Sequence, residues 1–143
     1  MTDWIGILPT TFDLQKCVDF VGDPRAGAID LFLGTTRAEQ STDSRELVAL
    51  DYEAYEGMAL GQMRDLARRA RERWPIIKLA ILHRIGRVAI GEPSVIIAVS
   101  TPHRAEAFEA CKFLIDSLKA EVAIWKKEIW ADGSGTWVHP EAL

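Results

Sequence analysis

The chain has 143 residues, 48% hydrophobic and 27% charged, which is enough apolar material for a buried core in one domain spanning 1–143 without disulfide staples. Its formal net charge of −4 argues against a general nucleic-acid binder, which needs a basic surplus facing the phosphates. No run approaches the roughly 18 to 20 apolar residues of a membrane span, and the start Met1-Thr2-Asp3-Trp4 lacks the basic and apolar regions of a secretory leader, so the expected location is cytoplasmic.

Trp4 to Leu8 reads as a short strand ended by Pro9, after which Thr10 or Thr11 is placed to cap a helix running to about Phe20. Gly22-Asp23-Pro24 then turns the chain, and Ala26 to Thr35 alternates with Ile29, Leu31 and Leu33 on one face, the pattern of a strand. Thr36 to Glu46 is polar and poor in apolar anchors, so it reads as a mobile loop leading to a strand from Leu47 to Tyr55. Beyond Gly57, the apolar residues Met63, Leu66, Ala67, Ala70 and Trp74 recur at helical spacing until Pro75. The outer face of that helix carries Arg64, Arg68, Arg69, Arg71 and Arg73. Asp65 and Glu72 interrupt them, which suits a solvated face better than a stripe for polyanions.

Lys78 to Arg84 and Ser94 to Ser100 read as buried strands, separated by turns at Gly86 and Gly91-Glu92-Pro93. A long helix is expected from Pro102 to about Lys119, with Ala107, Phe108, Cys111, Leu114, Ile115 and Leu118 as its apolar stripe. Ile124 to Ile129, a Gly-containing loop at Asp132 to Gly135, and Thr136 to Val138 form a closing hairpin. With no repeats or linkers, the elements amount to an α+β domain. Cys17 and Cys111 lie in apolar helical contexts and read as packing residues. No Cys/His cluster has metal-ligand spacing.

Two places suggest chemistry. At Thr101-Pro102-His103-Arg104, Thr101 suits a helix cap and Pro102 the first helical position, leaving His103 and Arg104 in the first turn. Cations there are unfavourable beside the positive end of the helix dipole unless an anion binds, so the choice lies between a phosphate or carboxylate seat and an ordinary surface arginine with a satisfied histidine. At the other end, Lys119 closes the apolar helix, and Lys126 and Lys127 flank Trp125 downstream. Lysines among apolar residues lose solvation and become usable bases or nucleophiles. The plainer alternative has Lys119 complementing the helix C-terminus and Lys126 and Lys127 on opposite faces of a strand.

Six strings in order carry a resemblance: Gly27-Ala28-Ile29 through Phe32-Leu33-Gly34-Thr35-Thr36-Arg37, Leu50-Asp51-Tyr52-Glu53-Ala54-Tyr55, His83-Arg84-Ile85-Gly86, His103-Arg104-Ala105, Leu118-Lys119-Ala120 and Ile124-Trp125-Lys126-Lys127-Glu128. Together they make the chain resemble the catalytic (large) subunit family of molybdopterin synthase. The resemblance implies an α/β hammerhead-like single domain with additional antiparallel strands, and a homodimer of large subunits within a heterotetramer. The partner it implies is a small ubiquitin-like sulfur-carrier subunit with a C-terminal Gly-Gly thiocarboxylate, and the implied substrate is cyclic pyranopterin monophosphate. Two sulfur transfers would open the cyclic phosphate and leave a dithiolene, with no metal and no resident cofactor.

Carried over by position, the resemblance makes Lys119 and Lys126 the catalytic residues. Arg37, His103 and Arg104 would hold phosphate and pterin, with Thr35, Thr36, Lys127 and Glu128 lining the site. The same basic pocket, without sulfur transfer, would make a pterin- or carrier-tail-binding module. The chain departs from the family at Ala123, where proline is common two residues before the tryptophan, so a less rigid turn is expected between the lysines. It departs again at Ala38-Glu39-Gln40, in place of an asparagine-bearing loop, and in a tail that ends at Leu143 soon after Trp137.

Overall fold

Two four-stranded sheets and three helices form an α+β fold in the computed structural model, which describes residues 3–138. The expected span of 1–143 therefore has its two ends, 1–2 and 139–143, outside the described residues. In chain order the elements are β1 (Asp3–Leu8), α1 (Leu14–Val21), β2 (Ala28–Thr35), β3 (Leu47–Ala54), α2 (Glu56–Arg73), β4 (Lys78–Arg84), β5 (Gly86–Ala89), β6 (Pro93–Thr101), α3 (Arg104–Glu121), β7 (Ile124–Trp130) and β8 (Gly135–Trp137).

The first sheet runs β1-β4-β6-β2, parallel between β1 and β4 and antiparallel elsewhere. Every residue of β6 from Ser94 to Thr101 is buried, because both faces of this sheet are covered. Val95, Ile97 and Val99 face α2 and α3, packing with Met63, Leu66, Cys111 and Leu114. The alternate residues Ile96 and Ala98 face α1, meeting Phe12, Cys17 and Val21. Both cysteines are thus buried packing residues, as expected, and burial raises both thiol pKa values, Cys111 to about 12. Among the described residues no helix is long and apolar enough to cross a membrane.

The second sheet runs β5-β3-β7-β8, antiparallel throughout. The sequence patterning marks the stretch around Gly86 as a turn. Here it becomes β5, which pairs Leu50 with Val88 and Tyr52 with Gly86. Gly86, at φ +85°, takes a left-handed conformation that carries the chain from β4 in one sheet directly into the other, and Gly91, at φ +82°, turns it back. Four residues are too few for their alternation to stand out against the flanking glycines.

Helix starts differ from expectation in two places. The α1 cap is Asp13, whose carboxylate accepts from Lys16 N at 3.2 Å, rather than Thr10 or Thr11. The α3 cap is His103, because Thr101 stays in β6, paired with Ala28, and its Oγ1 donates to His103 O at 2.6 Å. Pro102 therefore precedes the cap, and Arg104 begins the helix. On α2 four of the five outward arginines are engaged within the chain, and Arg64 is exposed. Arg68 meets Asp65 and Glu72, Arg69 meets Asp65 and Glu121, Arg71 meets Asp3 at 2.5 Å, and Arg73 lies over the Trp74 ring at 4.4 Å.

Gly27 sits where β2 begins beside the β6–α3 junction, and a Cβ there would come within 2.2 Å of the Pro102 carbonyl oxygen. Gly27→Ala is expected to lower unfolding stability by about 1–3 kcal/mol, since backbone must shift to admit the methyl. Gly61→Ala, in α2 with nothing within 4 Å, should be neutral or stabilising by up to ~1 kcal/mol. Urea titration of the two variants checks this, and equal midpoints would contradict the packing described.

Candidate active site

A cavity of about 440 Å³ opens where the two sheets meet the C-terminal end of α3. The β3–β7 register determines which side chains enter it. Tyr52 lies opposite Lys126 and Leu50 opposite Glu128, so these four share the cavity face, while Asp51 and Lys127 share the other. From α3, Lys119 arrives in the last turn, near the negative end of the helix dipole. Arg37 enters from the segment after β2, and its Nη2 lies 3.8 Å from Glu39 Oε1.

The environment of Lys126 is the most informative electrostatic feature. Its ammonium is half-buried and its pKa is lowered, first by desolvation and then by the charge of Lys119. Glu128 and Glu39 oppose the shift and Arg37 adds to it. A depressed amine pKa raises the neutral fraction near neutral pH, which suits a group that gives and takes protons. The same convergence of cations makes the cavity a seat for anions, within a chain of net negative charge.

The connection between the two lysines is held from outside. Ala123, where relatives of the resembled family often carry proline, donates its N–H to Gln62 Oε1 at 2.7 Å, and its carbonyl accepts from Tyr55 N at 3.1 Å. Proline has no N–H and could not make the first of these bonds. The expected looseness of this turn is therefore countered by a tie to α2.

Of the residues singled out from the sequence, the structure brings Thr35, Arg37, Lys119, Lys126 and Glu128 to this cavity. Thr36 lies beneath it, buried, with its N–H donating to Glu92 O at 3.0 Å and its Oγ1 directed at Val88 O. Lys127 points away, its Nζ over the Trp137 ring at 5.6 Å. His103 and Arg104 are exposed at the far end of α3, outside the cavity lining. The cavity also takes in Glu39, Tyr52, His83 and Ser94, to which sequence reasoning gave no role. Tyr52 and His83 fall inside two of the matched strings, but only the β3–β7 register sets Tyr52 opposite Lys126, and only the shared cavity lining and its ring contact with Tyr52 bring His83 to the same place.

A model of the family described as MoaE protein matches residues 7–121 of this chain. A molybdopterin synthase catalytic subunit from Arabidopsis thaliana is 49% identical over 121 residues, covering 85% of this chain and 60% of that protein. The chain thus spans less than two thirds of that relative's length. The subunit of the same name from Halalkalibacterium halodurans is 46% identical over 125 residues, covering 87% of this chain and 78% of the relative. The solved structure of molybdopterin synthase from Staphylococcus aureus superposes with a TM-score of 0.87 at 34% identity, covering 93% of this chain and 95% of that one.

Because the Lys119 charge is a cause of the Lys126 shift, Lys119→Ala should raise the Lys126 pKa toward its ordinary value. Glu128→Gln, which removes an opposing carboxylate, should lower it further. NMR titration of 13C-labelled lysine side chains reads both directions. A Lys126 pKa unmoved by either change would show that the groups do not share one field.

Proposed function

The chain belongs to the MoaE family of molybdopterin synthase catalytic subunits, and from that premise we propose that it transfers sulfur from the C-terminal thiocarboxylate of a small carrier protein to cyclic pyranopterin monophosphate, making the dithiolene of molybdopterin. The observation that carries this reading is the meeting of Lys119, from the end of α3, and Lys126, from β7, in one cavity beside Arg37.

Both proposed reactants are anions, and the cavity offers them cations. Arg37 is suited to the phosphate, since a guanidinium can contact two of its oxygens at once, and Glu39 beside it would yield its place to the stronger anion. The lysines would serve the carbons that accept sulfur. As the thiocarboxylate sulfur attacks, a proton must reach the departing oxygen, and the acyl–sulfur bond left behind must be cleaved by water to release the carrier as a carboxylate. Lys126, with its lowered pKa, is the better-placed proton carrier, and Lys119 supports it by charge or by a transient covalent attachment. A biosynthetic reaction of this kind fits a cytoplasmic location.

His103 and Arg104 enter through a second copy. Arg104 and Lys119 lie at opposite ends of α3, roughly 22 Å apart along its axis at about 1.5 Å per residue, so one helix cannot bring both to one small substrate. In a symmetric dimer, the exposed N-terminus of one α3 would reach the cavity of its partner.

Mixing the purified chain with a thiocarboxylated carrier and cyclic pyranopterin monophosphate should yield molybdopterin, read through its fluorescent oxidation product. Lys119→Ala should cut product formation by about 100-fold or more with folding and carrier binding intact. Lys126→Arg should not restore activity, because arginine keeps the charge but does not give up its proton. Binding of both reactants without product would reduce the chain to a binding module, and near wild-type turnover of Lys119→Ala would remove its chemical role.

Shared sites are tested by complementation. Lys119→Ala and Arg104→Ala chains, each weakly active alone, are unfolded together, refolded and assayed as a mixture. Each mixed dimer then regains one intact site, and activity should rise well above either parent. A mixture verified to contain mixed dimers, yet no more active than the mean of its parents, would place the whole site within one chain.

A further inference from the structure

The floor of the cavity holds a histidine that the lysine chemistry does not use. His83, 4% exposed, lies near the end of β4 on the same side as Leu79 and Ile81, and lines the cavity beside Tyr52 of β3. Its Nδ1 is 2.8 Å from the carbonyl oxygen of Arg84. A carbonyl oxygen can only accept, so Nδ1 carries the proton. Burial pushes the imidazole pKa down to about 4, so the ring is neutral and Nε2 presents a bare lone pair. The ring is clamped edge-on by Tyr52, with centroids 4.9 Å apart.

The neighbouring polar groups are engaged elsewhere. The Tyr52 hydroxyl meets that of Ser94, and Ser94 Oγ donates to the Gly34 carbonyl at 3.4 Å. Among the described residues, no donor of the protein reaches Nε2, whose residue opens onto the cavity. The cavity is therefore polarised. Its exposed side offers cations, and His83 offers a fixed, uncharged hydrogen-bond acceptor on its buried side.

We propose that His83 Nε2 accepts a hydrogen bond from the N–H edge of the substrate's pterin ring, holding the heterocycle on the floor while its phosphate-bearing end lies among Lys119, Lys126 and Arg37. The assignment rests on the pterin reading given above and adds to it a source of specificity. A cationic rim attracts any phosphate ester or carboxylate without distinguishing what carries it. The aminopyrimidinone edge of a pterin has N–H donors fixed in a plane, and an acceptor whose tautomer is locked by its own backbone is matched to one of them. A ligand without that donor leaves the buried lone pair unpaired, which is what makes such a site selective.

The test compares two fluorescent probes, 6-hydroxymethylpterin and a counterpart whose ring and exocyclic N–H groups are methylated, by equilibrium titration against wild type and His83→Phe. Phenylalanine keeps a ring against Tyr52 and removes the acceptor. Wild type should bind the pterin about tenfold or more tightly than the methylated probe. In His83→Phe the pterin should lose about that factor while the methylated probe is unchanged, so that discrimination disappears. In turnover, KM should rise about tenfold with kcat changed by less than about threefold, a split that loss of fold would not produce. Undiminished discrimination in His83→Phe would overturn the assignment. Wild type that binds neither probe would overturn the pterin reading itself, and the assignment with it.

If His83→Phe does not fold, the wild-type chain labelled with 15N-histidine supplies the answer. The Nε2 resonance of the buried imidazole should move on addition of pterin and not of the methylated probe, while Nδ1 stays in place. A resonance unmoved by saturating pterin would equally dismiss the hydrogen bond.

Discussion

Burial of β6 on both faces is the constraint on which the rest of the structure depends. A strand whose residues from Ser94 to Thr101 are all excluded from water needs paired neighbours on both edges and apolar cover on both sides. β4 and β2 provide the edges. α1 covers one side through Cys17 and Val21, and α2 with α3 covers the other. Because α3 follows β6 directly, packing of Cys111 and Leu114 against Ile97 and Val99 also sets where the helix ends, and with it the position of Lys119.

The second constraint is electrostatic. Lys119, Lys126 and Arg37 meet in one cavity of a chain with net charge −4, and their repulsion is tempered locally by Glu39 and Glu128. The depressed pKa of Lys126 requires both its partial burial in β7 and the approach of Lys119 from a different element. Tertiary packing therefore sustains a like-charge contact that an isolated hairpin or helix would relieve. The acidic surface elsewhere is compatible with this, since it is the local field that governs an anion in the cavity.

The turn between the lysines shows how the chain substitutes one restraint for another. Without proline at position 123, the backbone gains freedom but also an N–H, and Gln62 on α2 takes up that donor at 2.7 Å. The spacing of the two amines is thereby coupled to α2. That helix is itself anchored through Arg71 to Asp3 of β1 and through Arg69 to Glu121 of α3.

The sequence by itself determined the helices and most strands, because the 3.6 and 2.0 periodicities of burial are written in consecutive residues. Met63, Leu66 and Ala70 on α2 and the apolar run of β6 are examples. It also carried the family, through strings that include Lys119 and Lys126. Capping was less legible: the local pattern pointed to Thr10 or Thr11 and to Thr101, whereas Asp13 and His103 occupy the cap positions. Only the tertiary structure decided which face of β7 meets the lysine of α3, separating Lys126 from Lys127, and only it placed Tyr52, Ser94 and His83 beneath them. The reason is physical. Register between strands distant in the chain, and the desolvation that shifts an amine or an imidazole, arise from groups brought together by the packing of the whole chain, and no local pattern encodes them.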